Sequence, residues 1–328
     1  MKQTFWLVAL AALLLLSGCA APKIGFLSPD QVPLKESTLQ GSGKDKVVVI
    51  SVRGLLSNQP KKGLIKKRPS MVQEVVSQLR KAEADSQIGA VVLKVDSPGG
   101  SVTASDQLYH EIASFKQRTG VKVVVAMMDV AASGGYYLSL PADHIHAHPT
   151  TLTGSVGVIF IQPRFYGMMD KIGVQVDVNR SGRNKDMGSP FREPTEEEDR
   201  IIQDLTDKLA ERFNQRVAKH RNLSARQMQE IASGRIYLAD DAKAAGLVDS
   251  IGYLDDAVNK AIQLAGLPKD AKVVVYRRAE YPNDNLYNTA TNVDGAGKPA
   301  MINIDLLDTL SAMNAGYYYV WPPAAAGE

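Results

Sequence analysis

The segment Asp129 to Tyr137, DVAASGGYY, sets one small hydroxyl residue, Ser133, at a sharp run of small residues straight after an apolar strand. Gly134 and Gly135 let the backbone fold tightly there and leave amide N–H groups uncrowded beside the hydroxyl. This is the local chemistry of a nucleophile exposed on a strand-to-helix turn. A glycine-flanked serine is also an ordinary turn residue, so the pattern needs company. Upstream, the apolar run Ile88 to Val95 ends in Asp96 to Val102, DSPGGSV, a second strand that breaks into a glycine pair ahead of a helix. Backbone N–H groups at a glycine turn and a helix N-terminus can point at one spot and stabilise the oxygen of a tetrahedral intermediate, by about 3 to 4 kcal/mol per donor. Downstream, Arg180 to Pro190, RSGRNKDMGSP, carries Lys185 in a polar, glycine-punctuated loop, a type of segment that often bears function on a rigid scaffold.

A base must accompany such a serine. The five histidines are His110, His144, His146, His148 and His220, and none falls in a loop built to meet Ser133. Lysine is an attested substitute. A free lysine titrates near 10.4, so about 1 in 2,500 is neutral at pH 7, and bringing the pKa to about 7 costs about 4 to 5 kcal/mol, supplied by burial. The alternation His144, His146, His148 on one face of a strand suggests a metal, but the three span about 13 Å along an extended chain, too far for one ion. No cysteine or carboxylate cluster joins them, so no metal and no cofactor is expected.

Taken together, these segments resemble the signal peptide peptidase (SppA-type) family of serine-lysine peptidases. The likeness covers about residues 46 to 265 and rests on DSPGGSV at Asp96 to Val102, DVAASGGYY at Asp129 to Tyr137, PTTLTGSVGV at Pro149 to Val158 and SGRNKDMGSPFR at Ser181 to Arg192, in the family's order and spacing. The resemblance implies Ser133 as nucleophile, Lys185 as general base, Gly100 as an oxyanion donor and Ser155 as the residue that orients the lysine. Gly134, next to the nucleophile, joins Gly100 as the second expected oxyanion donor. It also implies an α/β fold of the ClpP/crotonase type, a spiral of ββα units forming a single catalytic domain. Peptide substrates are implied too, in the family released signal peptides and misfolded exported proteins. So are homo-oligomers in which Lys185 of one subunit reaches Ser133 of a neighbour, leaving the two well apart within one chain.

The elements that must position these residues can be read along the chain. Lys46 to Arg53 reads as a buried strand, Pro69 to Ala84 as a helix, and Ile88 to Val95 as a strand. Thr103 to Arg118 reads as a helix opened by Thr103 and Asp106 at capping-box spacing, followed by a strand over Val121 to Met127. Thr195 with Glu198 caps a long helix to about Arg221, and further helices are expected over Ala239 to Ala245 and Leu254 to Ala265. Strands alternating with helices argue for a mostly parallel sheet.

Met1 and Lys2 precede an apolar stretch, Phe5 to Leu16, and then Ser17-Gly-Cys-Ala20. This reads as a bacterial lipoprotein signal over residues 1–18, with Cys19, the chain's single cysteine, as the acylated residue. Ala20 after Cys19 resembles the sorting pattern of lipoproteins sent to an outer membrane, with the protein facing the periplasm; in a host with a single membrane it would sit on that membrane's outer face. Residues 19–45 then read as a tether, 46–279 as the peptidase domain, and 280–328 as a tail whose aromatic run, Gly316 to Trp321, either docks on its own domain or contacts another subunit. A net charge of +3 over 328 residues, with one notable basic cluster at Lys61 to Arg68, gives no indication of nucleic acid. Two rival functions share the fold: a crotonase-like acyl-thioester enzyme, which should bind coenzyme A and survive Ser133→Ala, and a non-catalytic scaffold or chaperone.

Overall fold

The computed structural model describes residues 33–62, 67–279, 281, 284–288 and 315–325. Cys19 and the leader before it lie outside the described residues. The first half of the chain contains strands β1 (Lys35–Gln40), β2 (Lys46–Arg53), β3 (Lys61–Lys62) and β4 (Lys67–Arg68), helix α1 (Met71–Glu83), and strands β5 (Ile88–Ser97) and β6 (Gly99–Ser101). Helix α2 (Val102–Thr119), strand β7 (Lys122–Ala132), helix α3 (Gly134–Ser139), strands β8 (His144–Ala147), β9 (Leu152–Gly154) and β10 (Ile159–Ile161) and helix α4 (Tyr166–Ile172) come after them. Next are helices α5 (Glu196–His220) and α6 (Ala225–Ile231), strand β11 (Ile236–Leu238), helix α7 (Ala239–Ala244), strand β12 (Ser250–Ile251), helix α8 (Leu254–Leu264) and strand β13 (Lys272–Arg277). Strand β14 (Gly316–Val320) and the short helix α9 (Pro322–Ala325) end the described chain.

The main sheet runs β1-β13-β2-β5-β7-β8-β12, with β9 joining the end of β7 and β11 joining β9, and its pairings are parallel except for those of β1 with β13 and β11 with β9. Its valine-rich strands are buried on both faces, as a sheet flanked by helices requires. The side chains of β2 alternate: Val48 and Ile50 join the core under α1 and α2, while Val47 and Val49 pack toward α8. On the first side Leu79, Leu108, Ile112 and Phe115 fill the layer, and on the second Leu254, Val258 and Ala261 do so. The architecture is therefore mixed α/β around one central sheet.

Most expected elements stand, with corrections where tertiary contacts decide. The stretch read as a tether contains β1, which pairs antiparallel with β13 from Lys35 opposite Arg277 to Gln40 opposite Val273. Its polar, mostly exposed side chains hide a backbone committed to the sheet edge. Helix α2 is capped by Ser101, whose Oγ accepts the Ala104 N–H at 3.2 Å, instead of by Thr103. Asp106 instead accepts hydrogen bonds from Tyr137 and Arg212. Helix α5 opens with the expected capping box of Thr195 and Glu198. In the tail, β14 lies on the body of its own chain, between β10 and β6. Among the described residues no helix is long and apolar enough to cross a membrane.

Candidate active site

Strand β7 carries its chain straight into Ser133, which is 1 % exposed and adopts φ 51° and ψ −113°. A residue with a Cβ rarely holds this conformation, and strain of this kind costs on the order of 1–3 kcal/mol, so it persists only where the surroundings over-determine it. They do so here. The Ser133 N–H donates to Gly154 O at 2.8 Å, and Ser133 O accepts from the Tyr137 N–H at 2.8 Å, closing the first turn of α3. Its hydroxyl makes no hydrogen bond among the described residues, which leaves it free to act on an incoming group.

The two glycines that follow Ser133 have no room for a Cβ. A Cβ at Gly135 would stand 2.5 Å from Ser97 O, and one at Gly134 would stand 2.4 Å from Ser105 Oγ and 3.0 Å from Gly99 Cα. Gly99, at φ 100°, presses against the same turn: its missing Cβ would lie 2.7 Å from Gly134 N. The two glycine motifs, separate in sequence, thus form one contact surface. Gly99 O accepts the Leu56 N–H at 2.8 Å and the Ser101 N–H donates to Leu56 O at 3.0 Å. Strand alternation then turns the Gly100 N–H to the opposite side, toward its ladder partner Tyr319.

That partner lies in the C-terminal strand. β14 runs antiparallel along β6, with Tyr319 opposite Gly100 and Val320 opposite Gly99, and the Trp321 N–H donates to Pro98 O at 2.9 Å. The Tyr319 carbonyl oxygen sits between the glycine turns, 1.9 Å from a Cβ position at Gly99 and 2.9 Å from one at Gly134. Its ring is fully buried, stacked on Tyr137 at 5.1 Å and tilted against Phe213 at 4.8 Å, and its hydroxyl donates to Leu209 O at 2.9 Å. Burial, together with the hydrogen bond to Asp106, pushes the Tyr137 phenol up to about 12, so that ring stays neutral. Sequence reasoning did not place the tail at this site. The β-forming run Gly-Tyr-Tyr-Tyr-Val was the available signal, but nothing local says which strand it joins.

Ser155 comes to the same place. Ala132 pairs with Gly154, so Ser133 and Ser155 emerge side by side from neighbouring strands, both at φ 51°. The Ser155 N–H donates to Arg235 O at 2.8 Å. Lys185 makes no hydrogen bond to either serine: it is exposed in the loop before α5, and its amine has no partner among the described residues. The loop itself is firmly tied. Asp186 accepts from Arg180 Nη1 at 2.8 Å and from Arg192 Nε at 2.8 Å, and Arg192 reaches on to the buried Glu198. The Arg192 guanidinium draws the Glu198 carboxyl down to about 2 and holds Asp186 far below the usual range. Around this loop Phe165, Met168, Ile172, Val174, Val178 and Phe191 are all about half exposed or more. Of the histidines read as one strand face, His144 Nε2 and His146 Nδ1 on β8 both meet Ser250 Oγ, at 2.6 and 2.7 Å, and His148, just past the strand, meets Thr150.

Ser133 is thus a strained, buried serine whose glycine elbow packs against a second glycine segment. Comparison with known proteins gives the family. The profile of peptidase family S49 matches residues 115–268, and that of Clp protease matches residues 65–153. A putative signal peptide peptidase SppA from Enterococcus faecium is 36% identical over 252 residues, 76% of this chain and 71% of that protein. A putative protease, MJ0651, of Methanocaldococcus jannaschii is 37% identical over 65% of this chain and 68% of its own length. A putative protease, slr0021, of Synechocystis is 34% identical over 73% and 79%. The chain belongs to peptidase family S49. It is a serine peptidase with a mixed α/β fold built on one central sheet.

Proposed function

We propose that this chain is a lipid-anchored endopeptidase that works outside the cytoplasm through a Ser133–Lys185 dyad and an acyl-enzyme. The observation that carries the reading is the strained Ser133 set against the Gly99–Gly100 strand, with a peptide carbonyl, that of Tyr319, already lying between the two glycine turns. An extended substrate would take the same course along β6, its scissile carbonyl oxygen facing the N–H groups of Gly100 and Gly134 and its side chain entering the aromatic surface of Tyr137 and Phe213. Ser133 Oγ would attack that carbonyl carbon as its proton passes to the Lys185 amine. The tetrahedral oxyanion is held by the two N–H groups. Collapse expels the peptide amine, which takes the proton from Lys185, and water then cleaves the Ser133 ester.

Lys185 reaches the serine, in this reading, from a neighbouring subunit. The support is the exposed apolar arm around it, the kind of patch that a monomer rarely leaves uncovered. A second copy packed there would exclude water from the amine, the condition under which a lysine serves as a base near neutral pH. Ser155, beside Ser133, would orient it. The lipid on Cys19 would hold the assembly at the outer membrane facing the periplasm, where signal-peptide remnants and unfolded exported polypeptides are the substrates. The test is cleavage of an apolar fluorogenic peptide and of unfolded casein by wild type, Ser133→Ala and Lys185→Ala. Loss in both variants is expected, and activity that survives either substitution overturns the dyad.

A further inference from the structure

Just before the nucleophile, β7 leaves its register with β5. Val95 faces Met127 and Ser97 faces Ala131, so the single residue Asp96 stands opposite three, Met128 to Val130. At the same point β7 changes neighbours on its other edge, pairing with β8 through Met127 and with β9 from Val130 onward. A bulge of this kind interrupts the ladder and re-aims the chain beyond it. Here the re-aimed chain leads directly into Ser133. On the β9 side the irregular segment is fastened by two hydroxyls: Thr151 Oγ1 donates to Met127 O at 3.1 Å and Met128 O at 2.6 Å, and Thr153 Oγ1 donates to Ala131 O at 2.6 Å. On the β5 side the fastening is a carboxylate. Asp96 Oδ1 accepts the Val130 N–H at 3.3 Å.

We propose that Asp96 is a positioning residue for the peptidase reaction, its carboxylate holding the β7 bulge through the Val130 N–H and so fixing where Ser133 stands against the Gly99–Gly100 strand. The inference rests on Ser133 being the nucleophile. Asp96 is tied to both halves of the site. Its own carbonyl accepts the Gly54 N–H at 2.9 Å, and the adjoining Ser97 Oγ accepts the Gly99 N–H at 3.2 Å while donating to Gly54 O at 2.7 Å. One short segment therefore sets the glycine strand on one side and the approach to the elbow on the other.

Fold stability alone gives little reason for a carboxylate here. The side chain is 23% exposed, and burial, with the neighbouring Asp129 charge adding to it, pushes its pKa up. Its ion-pair partner Arg53 lies 3.6 Å away and is 57% exposed, a pairing that water screens strongly. The strained φ of Ser133 must be imposed by its surroundings, and the acceptor for the Val130 N–H is what Asp96 supplies to the bulge.

The experiment compares wild type with Asp96→Ala and Asp96→Asn in the full chain, with Ser133→Ala as the blank. The asparagine keeps an oxygen acceptor while removing the charge. Asp96→Ala is expected to lower kcat on a fluorogenic peptide ~10- to 100-fold, with KM within about twofold, because misplacing the nucleophile costs rate and not binding. Asp96→Asn is expected to return most of that loss. Labelling of Ser133 by a fluorophosphonate should slow in parallel. Amide exchange over residues 128–136, measured in the Ser133→Ala background, reads the clamp without catalysis and should quicken for alanine and not for asparagine. Unchanged kcat in Asp96→Ala overturns the proposal, as does unchanged exchange, or an equal loss in both variants. A wild type that neither cleaves nor labels at Ser133 removes the reading on which the proposal rests, and the proposal falls with it, while the exchange arm still reports the contact.

Discussion

Gly135→Ala tests whether contact between two backbone turns sets the position of Ser133, the nucleophile proposed above. Gly135 has an ordinary helical φ, so alanine brings no conformational penalty of its own and the effect is purely one of space. The new Cβ would lie 2.5 Å from Ser97 O, where real contacts of this kind are essentially never under 3.0 Å and are ordinary only from 3.4 Å. The elbow and the end of β5 must therefore separate by 0.5 to 0.9 Å, the differences between those limits and 2.5 Å. A carbonyl in a paired strand cannot swing aside as a flexible side chain would, so the start of α3 takes up much of the displacement. Moving Ser133 and the Gly134 N–H by that distance relative to Gly100 should cost ~100-fold in kcat, about 2.7 kcal/mol of barrier. Overpacking should cost about 1–3 kcal/mol of stability, seen as a lower Tm in a protein that still folds. Steady-state kinetics, fluorophosphonate labelling and a thermal melt on the same preparation separate the two effects. A folded Gly135→Ala protein with kcat within threefold of wild type would refute the idea that the Ser97 carbonyl fixes the elbow.

The same geometry sets other outcomes. Mixing Ser133→Ala with Lys185→Ala protein should restore part of the activity that each lacks, and no recovery after co-assembly verified by mass would exclude a shared site. Deleting residues 315–328 uncovers β6 and should lower KM for an extended peptide while leaving kcat close to wild type; an unchanged KM would show that the tail and substrate do not compete. Arg192→Leu removes the link from Asp186 to Glu198, and limited proteolysis should then cut the Lys185 loop faster, with loss of activity. The acid dependence has a definite sign. Because Glu198 is drawn down to about 2 from an ordinary value near 4.5, its contribution to holding the loop is complete above about pH 4.5 and lost as pH falls toward 2, which amide exchange over 180–195 can track.

The parts of this protein written in short stretches of sequence were legible. The valine runs of β2, β5 and β7 announce buried parallel strands, because only a strand covered on both faces tolerates continuous apolar side chains. The Thr195–Glu198 box marks the start of α5 because the reciprocal hydrogen bonds involve residues three apart. Ser133 with Gly134 and Gly135 could be read as an elbow for the same reason. β1 escaped notice because its charged and polar side chains face solvent, while its place in the sheet depends on backbone groups of β13 more than two hundred residues away.

Only the tertiary structure decided how these segments meet. Asp96, Gly99 and Gly100 are brought against the Ser133 elbow by the parallel pairing of β5 with β7, and Ser155 by that of β9 with β7. Tyr319 reaches Gly100 because strand β6 has an edge open to a second strand and because the Tyr137 and Phe213 rings offer its side chain a buried surface. Residue types and local spacing determine which groups can do chemistry, since turns, caps and strand propensities act over a few residues. Which of those groups meet depends on loop closure, sheet register and core packing, free energies that belong to the whole chain and are written in no single motif.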